Sequence, residues 1–249
     1  MRRSSDPDAG HCTLRIVLYA QLMNILAFDT CFGACSVTAT WDGGRAGRFE
    51  RLVRGHAERL TPMIGEVMSE APFGFSEIGL IVVATGPGTF TGQRVGIAAA
   101  RALAVATGAP VGTISSLAVM AYTAAAAIPD EVAGKVLAVA VDARRGEIYL
   151  QTFAGDLAPL GDPELTTPEA AARGLGGRAV LAVGSGAEAL AAAARDLGFD
   201  IAARLKDLEP DVRFIPEGAV KPAREMPRPL YLRPPDAKPQ DGAALARAP

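Results

Sequence analysis

Four glycines punctuate the stretch ATGPGTFTGQRVG, residues 84 to 96, where an apolar run passes into an alanine-rich one. Glycines so placed can cradle a phosphate, because free backbone N–H groups at a helix start attract an anion. The strict form of such a loop, G-x-x-x-x-G-K-[ST], adds a lysine for the outer phosphates. Here Gly88 and Gly92 are one residue too close, and Gln93 stands where the lysine belongs. The dinucleotide form G-x-G-x-x-G fits no better: after Gly86-Pro87-Gly88 the next glycine is Gly92, and Pro87 has no N–H to offer. A structural turn is the favoured reading. Metal donors are scarce. The histidines are His11 and His56, and His56 has Arg59 and Leu60 where a second helical ligand would stand. Cys12, Cys31 and Cys35 make no C-x-x-C pair and read as reduced thiols. Ser115 and Ser116 have no nearby His or Lys to activate a nucleophile. No catalytic residue and no metal ligand is assigned.

The elements that must hold these residues show a faint repeat. NILAFDTCFGACSVTATWDGG reads as an apolar strand, a tight turn from Asp29 to Gly33, and a β-branched return strand. KVLAVAVDARRGEIYLQTFAGD follows the same plan about 110 residues later, with Asp142 at its turn. Two related α/β halves are expected. IGLIVVATG is a strand of the kind buried on both faces of a parallel sheet. SSLAVMAYTAAAAI reads as a helix capped by Ser115 or Ser116, and RAVLAVGSGAEALAAAARDLG as strand, turn and helix.

The expected organisation is a disordered extension over 1–22, a first lobe over 23–112, a smaller lobe over 113–225, and a proline-rich extended tail over 226–249. From Lys221 onward the chain carries seven prolines in 29 residues, which argues against helix there. The formal net charge of −2 over 249 residues offers no basic footprint for gripping nucleic acid unaided. No apolar run reaches the roughly 18 residues of a membrane span. A cytoplasmic protein is expected.

Two helices carry the most information. In HAERLTPMIGEVMSEA, the residues Leu60, Met63, Ile64, Val67 and Met68 form a helical stripe. In VGIAAARALAVAT, residues 95 to 107, the single charge is Arg101. Val95, Ala98, Ala99, Ala102, Leu103 and Ala106 share one face, yet Ile97, Ala100, Ala104 and Val105 make the other side apolar too. Such a helix needs a second neighbour, either the rest of its own chain or another subunit. Composition alone slightly favours the chain itself.

The blocks ILAFDTCFGACSV, HAERLTPMI, GPGTFTGQRVGIAAARALA with ISSLAVMA, VDARRGEIY and the closing PLYLRPPDAK together resemble the TsaB (YeaZ) family, from about Asn24 to Lys238. The resemblance implies an actin-like or RNase H-like α/β fold with two lobes (the ASKHA superfamily). It also implies a non-catalytic dimerisation subunit, similar in fold to the catalytic subunit TsaD and paired with it. In that family TsaC supplies threonylcarbamoyl-adenylate and the ATPase TsaE assists. TsaD transfers the group to adenosine 37 of tRNAs that read ANN codons. Pairing is expected through the two helices above, with a homodimer when the chain is alone, so the resemblance moves the preference to a partner. It leaves tRNA to be met only through the complex. No cofactor is required, and ATP or ADP at a subunit boundary is compatible with the resemblance. The alternatives are an actin-fold nucleotide-binding enzyme and a glycoprotease-like metallopeptidase. For the first, Asp29, Thr30 and Asp142 are the nucleotide-proximal candidates, although Ala143-Arg144-Arg145 put bulk where such folds use glycine. For the second, the related catalytic subunits hold metal with two histidines spaced H-x-x-x-H, which this chain lacks. Cys31 stands where the family usually has serine.

Overall fold

The computed structural model describes residues 23–233. The expected extension over 1–22, and the tail beyond 233, lie outside the described residues.

The first lobe begins with three antiparallel strands: β1 (Ile25–Asp29), β2 (Ala34–Trp41) and β3 (Gly44–Arg51). Trp41 pairs with Gly44, leaving Asp42-Gly43 as a two-residue hairpin loop in which Gly43 takes φ +80°. Then follow α1 (His56–Glu70), β4 (Leu80–Ala84), α2 (Phe90–Thr107), β5 (Val111–Ile114) and α3 (Ser116–Ala127). After a short α4 (Pro129–Val132) the second lobe repeats the scheme with β6 (Val136–Arg144), β7 (Glu147–Phe153), β8 (Glu164–Thr166), α5 (Pro168–Leu175), β9 (Val180–Val183), α6 (Ala187–Asp196) and β10 (Ile201–Arg204).

The first sheet is ordered β3-β2-β1-β4-β5 and the second β10-β9-β6-β7-β8. Read from the other end, the second order is the first again, with matching directions: two antiparallel pairings, then two parallel ones. Both hairpins in the sequence repeat therefore have a third strand that was not anticipated. In β3, Gly44, Gly47 and four charged residues hide the two-residue period; in the second lobe the third strand is only Glu164–Thr166.

Alternation along the strands sets five layers. Leu26, Phe28, Ile81 and Val83 face α1 and α2, whereas Ala27, Leu80 and Val82 face the middle of the molecule. In the second sheet Ala138, Ala140 and Ala182 face α5 and α6, and Leu137, Val139 and Val183 face the middle. The middle layer is α3, with Leu117, Met120, Ala121 and Ala124 on the second sheet and Val119 on the first. Ser115 caps it, accepting from the Ala118 N–H at 2.9 Å. The helix covered by both sheets is thus α3, not α2.

Two expected boundaries are corrected. A lobe break after residue 112 would divide β5, which runs to Ile114. The expected second lobe also loses its last part. Residues from about 209 onward return to the first lobe, where the Ser36 hydroxyl donates to the Pro210 carbonyl at 3.1 Å and Pro222 bridges Gly112.

Candidate functional site

The glycine block lies where β4 ends and α2 begins. Its glycines are closed in by the protein's own atoms. A Cβ on Gly88 would stand 2.4 Å from the Cys31 carbonyl oxygen, and one on Gly96 2.9 Å from the Thr30 hydroxyl. Thr89 donates its N–H to the Cys31 carbonyl at 2.7 Å, and its side chain caps α2 by accepting from the Gly92 N–H at 3.1 Å. The spacing thus seats the start of α2 against the β1–β2 turn.

Between the lobes lies a cleft of about 930 Å³. Its walls are the start of α2 (Thr89, Thr91), the start of α1 (His56), the end of β6 (Asp142, Arg144) and the 206–209 segment. Of the three nucleotide-proximal candidates only Asp142 lines it. Its N–H donates to the Ser185 hydroxyl at 3.0 Å, and its carboxylate accepts from the Arg144 N–H at 2.8 Å and pairs with that guanidinium at 3.3 Å. Asp29 and Thr30 are each only 1% exposed and do not reach the cleft. Thr30 spends its hydroxyl on the Gly92 carbonyl. Both are corrected to buried packing residues, because β1 ends beneath the glycine block.

Asp29 has one carboxylate oxygen accepting from the Cys31 N–H at 2.7 Å, while its other oxygen is buried without a partner. Burial pushes it up from 3.8 to about 7; the Cys31 N–H opposes that rise, and the charge of Glu209 adds to it. Burial also raises the Cys31 thiol, and pushes Cys35 up to about 12, so neither thiolate nucleophile forms readily. His56 begins α1 with its Nε2 buried and unpartnered. Among the described residues no three His, Cys, Asp or Glu side chains gather as a metal set.

The expected partner face divides in three. Leu60, Met63, Ile64, Val67 and Met68 are all buried in the chain's own core against the first sheet. They are corrected from partner contacts to core, since an amphipathic helix lying on a sheet first spends its stripe there. Val95, Ala99 and Leu103 are partly buried against the same core. Ala98, Ala102 and Ala106 are exposed. The inward side of α2 is Gly92, Gln93, Gly96, Ile97 and Ala100, a face marked by small residues four apart that let the helix close on β4. Its outer side adds Phe90, 52% exposed, and Val105, 83% exposed. Sequence reasoning also missed the C-terminal segment. Tyr231 stacks on Phe90 at 5.5 Å, and the Arg94 guanidinium lies 3.5 Å from the Phe90 ring centre.

Fold and site define a duplicated α/β protein of the actin-like, RNase H-like class, with an open interlobe cleft and an alanine-lined helix on its surface. The family model described as TsaD, tRNA N6-adenosine threonylcarbamoyltransferase, matches residues 50–208. The tRNA threonylcarbamoyladenosine biosynthesis protein TsaB of Escherichia coli (strain K12) is 37% identical over 134 residues, 54% of this chain and 56% of that protein. An uncharacterised protein of Mycobacterium tuberculosis (strain H37Rv) is 34% identical over 229 residues, 88% of this chain and 96% of that one. The solved structure of YeaZ from Pseudomonas aeruginosa superposes with a TM-score of 0.71 at 27% identity, covering 85% of this chain and all of that one. The chain belongs to the TsaB (YeaZ) family, within the wider group described by the TsaD model. It spans about half the length of the curated TsaB relatives from Escherichia coli and Haemophilus influenzae that it matches. Among the described residues no helix is long and apolar enough to cross a membrane.

Proposed function

We propose that this chain is a non-catalytic subunit of the cytoplasmic machinery that installs threonylcarbamoyl on N6 of adenosine 37 in ANN-decoding tRNAs. It pairs with the TsaD-type catalytic subunit, forms a homodimer when that partner is absent, and meets tRNA only through the complex. TsaC-type and TsaE-type proteins act in the same pathway. The observation that carries this role is the outer face of α2. Ala98, Ala102 and Ala106 are exposed beside Val105, and small side chains let a second helix approach near the lower end of the ~8–10 Å range of helix spacings.

The family resemblance supports the same role, and so does the chemistry inside the chain. The buried acid Asp29 is sealed from the cleft, both described thiols are buried, and Asp142 is already bonded to Arg144 and Ser185. Co-expression with the TsaD-type subunit of the same organism, with and without ATP, tests the proposal. A stable complex that modifies tRNA, in which neither chain alone is active, is expected. Modification by the catalytic subunit at full rate without this chain overturns it. The slightly acidic balance leads to weak tRNA binding by the chain alone, and nanomolar affinity at physiological salt contradicts indirect contact.

A further inference from the structure

Residues 221–233 contain no helix, and surface segments of this kind are ordinarily loosely held. This one is fastened along its length. Ala223 donates its N–H to the Val111 carbonyl at 2.8 Å, extending the edge of β5. Pro227 is buried and its carbonyl accepts from Arg101 of α2 at 2.5 Å. Leu230 donates its N–H to the carbonyl of Thr85, just beyond β4, at 2.8 Å. The Tyr231 hydroxyl accepts from Arg94 Nε at 2.8 Å while its ring covers Phe90. Pro222, Pro227 and Pro229 pre-extend the segment, which lowers the entropy lost on docking.

The last anchor lies on the other lobe. Arg233 forms an ion pair with Glu147 at the start of β7, and its guanidinium reaches the Arg144 carbonyl at 3.5 Å. The two side chains are 21% and 34% exposed, a setting less screened than open surface. Both anchor points flank the cleft, since Thr89 and Thr91 at the start of α2 line one wall and Arg144 and Tyr149 the other. We infer that residues 227–233 are a latch that holds these two walls together, so that widening the cleft on this side requires Arg233 to leave Glu147.

Charge reversal in the full chain tests the latch, with hydrogen–deuterium exchange as the readout. Arg233→Glu and Glu147→Arg should each raise exchange roughly fivefold in residues 88–94 and 142–149, with β9 and α3 unchanged. The double exchange R233E/E147R should restore protection. Tyr231→Ala, which cuts the other anchor and leaves both charges in place, should raise exchange over the same two stretches. Unchanged exchange at both walls, a rise confined to 227–233, or no restoration in the double exchange overturns the latch.

Discussion

Gly92 and Thr30 touch backbone to backbone: a Cβ on Gly92 would stand 2.1 Å from the Thr30 carbonyl oxygen, while the Thr30 hydroxyl donates to the Gly92 carbonyl at 2.7 Å. The helix and the strand end are thus pressed together where a phosphate-binding loop would hold them apart. Gly92→Ala should destabilise the chain by roughly 3 kcal/mol, because the obstructing atom is backbone and cannot swing aside. Gly65, in the exposed side of α1, has open space around it. Gly65→Ala should instead stabilise by about 0.5–1 kcal/mol through the gain in helix propensity. Urea unfolding of the two variants checks the contrast, and equal costs would disprove it.

Asp29 makes stability depend on pH. Held at about 7 in the fold against an ordinary 3.8, it keeps its proton in the native state at pH values where the unfolded chain has lost it. Its contribution is intact below about pH 4 and is lost as pH rises to about 7, by up to roughly 4 kcal/mol. Asp29→Asn, which cannot ionise, should match the native chain near pH 4 and exceed it in stability at pH 8.5. Denaturant unfolding at both pH values decides the matter; a constant difference means that Asp29 ionises freely.

Association should depend on the outer side of α2. Ala102→Glu leaves folding within about 0.5 kcal/mol, since the site is exposed, yet it should weaken pairing at least about tenfold by desolvating a carboxylate. Light scattering after size exclusion, and co-purification with the TsaD-type subunit, report this. Assembly like that of the native chain would place the interface elsewhere.

A shared middle layer predicts a single unfolding transition. Leu117 is fully buried in α3, between the two sheets. Leu117→Ala should cost about 3 kcal/mol. Fluorescence of Trp41, the only tryptophan, reports the first lobe, and its transition should coincide with that of circular dichroism for the whole chain, in the native protein and in the variant. Separated transitions would show that the lobes unfold independently.

Legibility followed the physics of each signal. The paired hairpins were visible because β-branched and apolar residues crowd β1, β2, β6 and β7, and the stripe of α1 because its five core residues keep a helical period. The function of that stripe was misread, since an apolar face looks the same whether a sheet or a second protein covers it. For α2 the alanines say little, as a methyl group is tolerated inside or outside; the glycines at 92 and 96 carry the orientation. For α3, the near absence of an amphipathic side matches a helix covered by two sheets.

By itself the amino-acid order determined the duplicated strand-turn-strand plan, the capped helices, the poverty of metal and nucleophile donors, and the family. These are properties of neighbours along the chain, written in side-chain periodicity and in short motifs. Only the tertiary structure decided that Asp29 is sealed under the glycine block, that the α1 stripe is core, that α3 lies between two sheets, and that Arg233 crosses to Glu147. Each of those depends on which surfaces meet after some tens of intervening residues, and burial, unlike periodicity, is not a local quantity.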